Sequence, residues 1–246
     1  MQTNFSKTQK LVLTGMFGAI IFVLQFTPLG FPQIPLIGSA TILHIPVIIG
    51  GIMLGPKYGA ALGFLFGFAS MLFASTQSLA LNAFAFTPFR PVPGTDSGSP
   101  WSILIAFGPR ILVGVVPPIL YAGLTKLLPL VTISLKWRIK KILRIQGDKP
   151  VSKNPMKFIA PSLIISAVAG SLTNTLLVLH LLFFIFREPW SLARAGAGST
   201  EITYAFITGT IVMFGIPEAI LAGIVAPVVC LALFAAMRQS SPQRLQ

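Results

Sequence analysis

Charged residues are scarce in this chain, and acidic ones are the scarcest. Asp and Glu together number 5 in 246 residues, and only 9% of the residues are charged. A soluble domain carries about 25% charged residues, so both a water-soluble globule and a disordered chain are excluded. The remaining class is an integral membrane protein, which agrees with the 54% share of apolar residues.

Residues that perform catalysis are equally sparse. His44 and His180 are the only histidines, and neither has a carboxylate at metal-ligand spacing, so we predict no metal site. Only one acid, Glu218, lies inside an apolar span, which leaves no carboxylate pair for acid–base catalysis. A glycine-rich stretch precedes Lys57, but Pro56 interrupts the Gly-Lys pair that a phosphate loop requires. The sequence therefore predicts no enzyme, no catalytic residue and no cofactor.

Charges divide the chain into apolar spans, because one charge at the centre of a bilayer costs at least about 2.5–3.5 kcal/mol. The 46 uncharged residues from 11 to 56 must cross twice, with a break in the proline-rich segment 28–35, since about 20 residues cross a bilayer. We predict an all-α, polytopic membrane protein of one domain with six transmembrane helices. The predicted spans are 11–27, 38–54, 58–75, 102–128, 156–186 and 204–237, with an outer lid loop at 76–101 and a basic cytoplasmic loop at 129–155.

The basic residues predict the orientation of these spans. With cytoplasmic termini, 14 of the 18 Lys and Arg residues lie inside and three lie outside, with Arg110 in the membrane. This asymmetry predicts that the N- and C-termini are both cytoplasmic, and it accounts for the net charge of +13 without a nucleic-acid partner. Within the basic loop, residues 135–145 resemble an amphipathic interfacial helix on anionic lipid, and docking of a cytoplasmic partner is the alternative.

Polar residues inside the apolar spans indicate a pocket. Counted from the predicted outer ends of their helices at about 1.5 Å per residue, Arg110, His180 and Thr208 share a layer roughly 6–12 Å below the outer surface. The lid loop lies above this layer. A lidded pocket containing arginine suits a small anion, because a guanidinium binds a carboxylate through two parallel hydrogen bonds. The lid and its end supply three further candidates, Asn82, Arg90 and Trp101.

Each candidate also has a structural explanation. Arg110 can extend its side chain toward the outer surface, His180 can be a packing residue and Arg90 a solvated loop charge. Asn174 and Glu218 lie deeper and could hydrogen-bond to each other across the last two helices. We favour a structural role for Glu218, because its depth exceeds that of the arginine by about 10 Å.

Small residues four positions apart occur in two predicted helices. Gly15 and Ala19 form such a pair in the first helix, and Gly59, Gly63 and Gly67 continue the spacing in the third. Such pairs let another helix approach closely. Packing inside this protein's own bundle is the commoner explanation for both motifs.

Three motifs resemble the substrate-binding S component of energy-coupling-factor (ECF) vitamin transporters. They are His44-Ile-Pro through Gly55-Pro-Lys-Tyr-Gly59, Pro109-Arg-Ile-Leu-Val-Gly114 and Ser171-Leu-Thr-Asn-Thr175. The resemblance covers essentially the whole chain and is strongest to the pantothenate-type member. It implies a prokaryotic cell-membrane protein that binds a vitamin in an outward pocket and then docks on a transmembrane T component with two ATPase subunits. In such a complex Gly15 and Ala19 would contact the T component, and the partners would hydrolyse ATP.

If the bound vitamin is pantothenate, each candidate residue has an expected contact with it, and other functions remain as alternatives. Arg110 and Arg90 would bind its carboxylate, and the hydroxyls and amide would meet the side chains of Asn82, Asn174 and His180. Trp101 would supply apolar contact. The alternatives are an S component for riboflavin, folate or another vitamin, a self-sufficient secondary carrier, and a scaffold without a ligand. A carrier would need coupling-ion carboxylates and inverted repeats, for which Glu218 alone is thin support.

Overall fold

Helices occupy all six predicted spans in the computed structural model. The structure describes residues 5–31, 33–34, 38–39, 41–78, 80–142, 158–195 and 202–239. Five helical segments of this described part are long and apolar enough to cross a membrane, and the sixth is shorter. The prediction of an all-α, polytopic membrane protein is therefore confirmed, whereas the cytoplasmic location of the termini stays a prediction. The helices are α1 (Lys7–Gln25), α2 (His44–Leu54), α3 (Pro56–Thr76), α4 (Trp101–Ile142), α5 (Ile159–Ala195), α6 (Tyr204–Thr210) and α7 (Ile216–Gln239).

The first helix begins earlier than predicted because Ser6 and Gln9 cap it. The Gln9 amide donates to Ser6 Oγ at 3.2 Å, and the Ser6 amide donates to Gln9 Oε1 at 2.9 Å, which completes a capping box. The helix ends at Gln25, before the 3-10 turn Pro28–Gly30.

The second helix begins at His44, so the predicted start at residue 38 is wrong. Gly38–Ser39 instead forms a short antiparallel ladder with Gln33–Ile34. Because the backbone of these residues is extended, they are not part of α2. The eleven residues of α2 are all buried. They span only about 16 Å at 1.5 Å per residue, so α2 is shorter than the hydrocarbon core of a bilayer and is enclosed by the described helices around it.

Backbone contact between α3 and α4 depends on glycine. A Cβ atom on Gly59 would lie 1.9 Å from the carbonyl oxygen of Gly114, and one on Gly63 would lie 2.2 Å from that of Arg110. One on Gly67 would lie 2.7 Å from the carbonyl oxygen of Ala106. The prediction that this spacing serves packing inside the bundle is confirmed for α3.

The fourth helix is longer than its predicted span of 102–128 and contains Pro109, Pro117, Pro118 and Pro129. Prolines are tolerated in membrane helices because neighbouring groups satisfy the freed backbone atoms. Residues 129–142 of the predicted basic loop continue α4, which corrects the loop assignment there. Residues 143–157 lie outside the described residues, and lipid contact by 135–145 stays a prediction.

The last two spans are interrupted at proline. The fifth extends to Ala195 instead of 186, with non-helical backbone angles at Phe186, three residues before Pro189. The sixth consists of α6, a π-helical turn at Ile211–Gly215, and α7. This turn lies immediately before Ile216 and Pro217, and a proline leaves a carbonyl of the preceding turn without its usual donor.

Two apolar clusters fill the interior of the described part of the chain. The bundle cluster contains Ile21, Leu43, Ile48, Leu62, Phe66, Leu163 and Ala222 among others, and joins α1, α2, α3, α4, α5 and α7. The cap cluster lies at the end of the bundle that carries the α3–α4 connection. It comprises Phe84, Ala85, Val92, Ile105, Leu179, Leu182, Phe186, Trp190, Ile202 and Ile207.

Candidate substrate-binding site

A cavity of about 360 Å³ lies between the bundle cluster and the cap cluster. Leu43 and Phe66 of the bundle cluster line one part of it, and Leu179 of the cap cluster lines another. Its volume falls within the range of about 300–1,000 Å³ that is usual for small-molecule sites. The polar residues lining it are Gln25, Thr41, Ser70, Ser78, Asn82, Arg110, Asn174, Thr175, Thr210 and Glu218.

Arg110 is held at the cavity by the proline that precedes it. Pro109 has no N–H, so the carbonyl of Ile105, four residues earlier, lacks its helical donor. Arg110 Nη1 donates to this oxygen at 2.8 Å, which directs the side chain toward the start of α4. The guanidinium lies over the rings of Phe66, at 5.5 Å, and Phe86, at 4.8 Å. Arg110 is only 8% exposed, and its Nε has no hydrogen-bond partner among the residues that the structure describes.

Asn174 and Glu218 face the cavity from α5 and α7. Glu218 Oε1 accepts from the backbone amide of Thr41 at 2.7 Å, and its Oε2 accepts from Thr175 Oγ1 at 3.3 Å. The predicted hydrogen bond between Asn174 and Glu218 is therefore wrong, because Thr175, the next residue of α5, meets the carboxylate. Asn174 Oδ1 is buried and has no hydrogen-bond partner in the described part of the chain.

The lid contributes Asn82 and is fixed to the neighbouring helices. Asn82 precedes the 3-10 turn Ala83–Phe86. The hydroxyl of Ser102, in the first turn of α4, donates to the carbonyl of Phe84 at 2.9 Å. The hydroxyls of Ser75 and Thr87 are hydrogen-bonded at 2.6 Å. This bond joins the last turn of α3 to the residue that follows the 3-10 turn. The lid is therefore packed against the helices on both sides of the cavity.

The family model for the substrate-specific component of ECF transporters matches residues 9–230. This chain belongs to the ECF transporter S components. It is 33% identical over 223 residues to the pantothenic acid transporter PanT of Lactococcus lactis subsp. cremoris (strain MG1363), an alignment that covers 87% of this chain and 96% of that one. A solved S component of a bacterial ECF transporter aligns at 16% identity over 95% of this chain and 98% of that one, with a TM-score of 0.47. The family is a transport component and not an enzyme, and this S component is a multi-pass membrane protein of the cell membrane.

The structure brings together three of the six side chains predicted to contact the cargo of the S component. Asn82, Arg110 and Asn174 line the cavity. Trp101 is the first residue of α4 and is 57% exposed, so it faces away from the cavity. Arg90 Nη1 donates to the carbonyl of Ser78 at 2.7 Å and fastens the lid.

His180 contacts α6 instead of the cavity. Its Nδ1 lies 2.6 Å from the carbonyl oxygen of Leu176, and its Nε2 lies 3.1 Å from the hydroxyl of Tyr204. A carbonyl can only accept, so Nδ1 carries a hydrogen, and in the neutral ring Nε2 accepts from Tyr204. Thr208, placed in the same layer by depth, is exposed and donates to the carbonyl of Tyr204.

Several residues that line the cavity could not be recognised as binding residues from the sequence. Neutral polar side chains such as Gln25 and Ser70 lie among apolar residues, and Ser70 Oγ donates to Gln25 Oε1 at 3.2 Å across α3 and α1. Glu218 was identified as an intramembrane acid, but depth alone favoured a structural role. The spacing of Thr210, Phe214 and Glu218, which all line the cavity, could have indicated a shared face.

The small pair of α1 lies on the surface of this S component. Gly15 and Ala19 are exposed, and a Cβ atom on Gly15 would meet nothing within 4 Å. The same face exposes Leu11, Val12 and Met16. Unlike the glycines of α3, this pair is not used for packing inside the described bundle, so its contact with a T component stays a prediction.

Proposed function

We propose that this S component binds pantothenate in the cavity between the two clusters and delivers it into the cell. After docking on a transmembrane T component with two ATPase subunits, it would release the vitamin inside while the partners hydrolyse ATP. The observation that carries the proposal is the buried Arg110 side chain on the cavity wall, which has no ion-pair partner among the described residues. A buried charge without a counter-ion is costly, and the carboxylate of a ligand would pair with it.

The chemistry of pantothenate fits the cavity. The molecule carries a carboxylate at one end, an amide in the middle and two hydroxyls at the other end. We assign the carboxylate to Arg110, because an arginine with one donor engaged on Ile105 keeps others for two parallel hydrogen bonds to a carboxylate. Asn82 and Asn174 can each donate to and accept from the amide or a hydroxyl. The similarity to a pantothenic acid transporter supports the same cargo.

The size of the cavity favours this vitamin over the two other candidates. Riboflavin and folate are much larger molecules with extended ring systems, whereas the cavity lies at the lower end of the usual volume range. Arg90, Trp101 and His180 do not line the cavity, and we propose supporting roles for Arg90 and His180. Arg90 would keep the lid closed over the cargo, and His180 would hold α6 against α5 through Tyr204.

The arrangement in the membrane is part of the proposal. The excess of Lys and Arg in the N-terminal, 126–157 and C-terminal segments supports cytoplasmic termini, and the lid would then face the exterior. The exposed face of α1 that carries the small residues Gly15 and Ala19 would dock on the T component, since small residues let helices approach closely within a bilayer.

The proposal is tested by titrating the purified protein with pantothenate, riboflavin and folate and measuring affinity and melting temperature. Pantothenate alone should bind and raise the melting temperature, because a ligand that binds only the folded state stabilises it. Arg110→Ala should weaken pantothenate binding at least about 30-fold, since removing one partner of a buried charge pair costs at least about 2 kcal/mol.

The matched control is Arg138→Ala, the same substitution on the same helix about 42 Å further along at 1.5 Å per residue. It should leave the affinity unchanged. Binding of riboflavin or folate in place of pantothenate, or full affinity in Arg110→Ala, would contradict the proposed cargo or its carboxylate site respectively.

A further inference from the structure

Glu218 is a buried acidic side chain on the wall of a cavity that we propose to bind an anion. It is only 7% exposed and is the one acidic residue among those that line the described cavity. A carboxylate in this position is costly to bury and would repel the carboxylate of the cargo. A role in packing alone does not explain why the chain places it on the cavity wall.

The hydrogen bonds of Glu218 leave part of its accepting capacity unused. A carboxylate can accept about four hydrogen bonds, and Glu218 accepts three, from the amide and the hydroxyl of Thr41 and from the Thr175 hydroxyl. The bond from the Thr41 amide to Oε1 is short, at 2.7 Å, whereas the bond from Thr175 to Oε2 is long for a hydroxyl donor, at 3.3 Å. The Thr41 amide therefore fixes Oε1, and the carboxylate can still accept from a further donor in the cavity.

The π-helical turn at Ile211–Gly215 directs Glu218 into the cavity. Thr210, Phe214 and Glu218 follow each other at intervals of four residues, and all three line the cavity. In an α-helix, eight residues turn the chain by about 800°, which would leave Glu218 about 80° away from Thr210. A π-helical turn accommodates one extra residue, which reduces the difference to about 20°. The irregular turn thus aligns the three side chains on one face.

The two ionic groups of the cavity come from different helices. Arg110 belongs to α4 and turns toward the start of that helix, whereas Glu218 belongs to α7 and bonds to Thr41 and Thr175. The hydrogen-bond partners of the two side chains do not overlap. A cargo that places an anionic group on Arg110 can then present hydrogen-bond donors to Glu218.

We infer that Glu218 determines specificity by accepting hydrogen bonds from the hydroxyls of the cargo. This inference rests on the proposed function, in which Arg110 takes the carboxylate of pantothenate. The carboxylate of Glu218 rejects anions that lack donors at the far end, because it would then lie buried against an apolar group. The site therefore selects a molecule with an anionic end and a hydroxylated end.

The test combines variants with analogues of pantothenate. One analogue is pantothenol, in which a primary alcohol replaces the carboxylate. The other is N-(3,3-dimethylbutanoyl)-β-alanine, which lacks both hydroxyls and keeps the carboxylate. Glu218→Gln should weaken binding of pantothenate and pantothenol roughly 10- to 100-fold, the value of a hydrogen bond to a charged group. It should not weaken binding of the analogue without hydroxyls and should strengthen it severalfold, because a neutral amide is less costly than a carboxylate to bury against an apolar group.

Arg110→Ala should give the opposite pattern, with losses for the two carboxylates and little change for pantothenol. The matched control is Glu188→Gln, the same substitution at an exposed residue of α5, which should leave all three affinities unchanged. Glu218→Asp serves if the glutamine variant does not fold, and it should show the same selective loss because its carboxylate is retracted by about 1.5 Å.

Equal losses for all three ligands in Glu218→Gln would show that the residue only supports Thr41, and would overturn the inference while leaving the cargo intact. Unchanged affinities would overturn it as well. Failure of the wild-type protein to bind pantothenate would overturn the proposed function together with this inference.

Discussion

Replacement of Gly63 by alanine is a sharp test of how α3 positions the arginine of the cavity. The added Cβ would lie 2.2 Å from the carbonyl oxygen of Arg110 and 2.7 Å from the Cα of Ile111. Carbon–oxygen contacts of this kind have a usual separation of about 3.3–3.6 Å, so α3 and α4 would have to separate by about 1 Å. Both contacts are with backbone atoms, which cannot rotate out of the way.

The expected cost follows from two opposing terms. Overpacking a well-packed interior costs typically about 1–3 kcal/mol, and contact with backbone puts this case at the upper end. Alanine improves helix propensity by about 1 kcal/mol over glycine. The net destabilisation is therefore about 2 kcal/mol, which corresponds to a melting temperature about 4–8 °C lower for a chain of this size. Displacement of the Arg110 backbone should also weaken binding of pantothenate severalfold.

The measurement is a thermal melt of the purified protein with and without pantothenate. Gly123→Ala is the matched control, because Gly123 lies on α4 and a Cβ there meets nothing within 4 Å. It should melt at or slightly above the wild-type temperature. Equal melting temperatures for Gly63→Ala and Gly123→Ala would refute the reasoning that backbone contact at Gly63 sets the distance between the helices.

Two further predictions concern the surface of α1 and the lid. Gly15→Leu should leave the affinity for pantothenate and the melting temperature of the isolated protein unchanged, since its Cβ has open space, but should abolish ATP-driven uptake by the assembled transporter; normal uptake would exclude this face as the docking site. Arg90→Ala should increase the dissociation rate of pantothenate severalfold, because the hydrogen bond that ties Arg90 to the start of the lid at Ser78, two residues after α3, is lost, and stopped-flow release would measure it. A loss as large as that of Arg110→Ala would indicate instead that Arg90 contacts the cargo directly.

The helical spans could be predicted from the sequence because charged residues are excluded from most of the bilayer core. Their ends were less predictable. The ladder at Gln33–Ile34 and Gly38–Ser39 shortens α2, and apolar composition alone does not distinguish an extended segment from a helix. The fifth span extends nine residues beyond 186, to Ala195, because Pro189 distorts the helix without ending it.

The cavity was predicted in part, and the errors have a geometric reason. Counting residues gives the depth of a side chain, but its direction around the helix axis depends on the helical period. His180 follows Asn174 by six residues, or about 600° of rotation, so the two side chains point about 120° apart. Asn174 accordingly lines the cavity whereas His180 contacts Tyr204.

Glu218 illustrates the same limit on a different helix. Its depth was counted along a regular α-helix, whereas the chain passes through a π-helical turn that changes its direction. Side-chain length also matters, because Arg110 bends toward Ile105 and its charge does not lie at the level of its own Cα. Neither effect can be read from the spacing of residues alone.

The separation of the interior into a bundle cluster and a cap cluster has a consequence for the energetics of opening. The cap cluster is held by contacts such as the perpendicular ring pairs Phe84–Phe186 and Trp190–Phe206. Opening the cap cluster would expose the apolar area of that cluster alone, so we expect cargo to enter through a local transition that leaves the bundle cluster packed. A ligand in the cavity contacts both the bundle cluster and the cap cluster. Its binding free energy therefore adds to the stability of the state in which the two clusters are packed together.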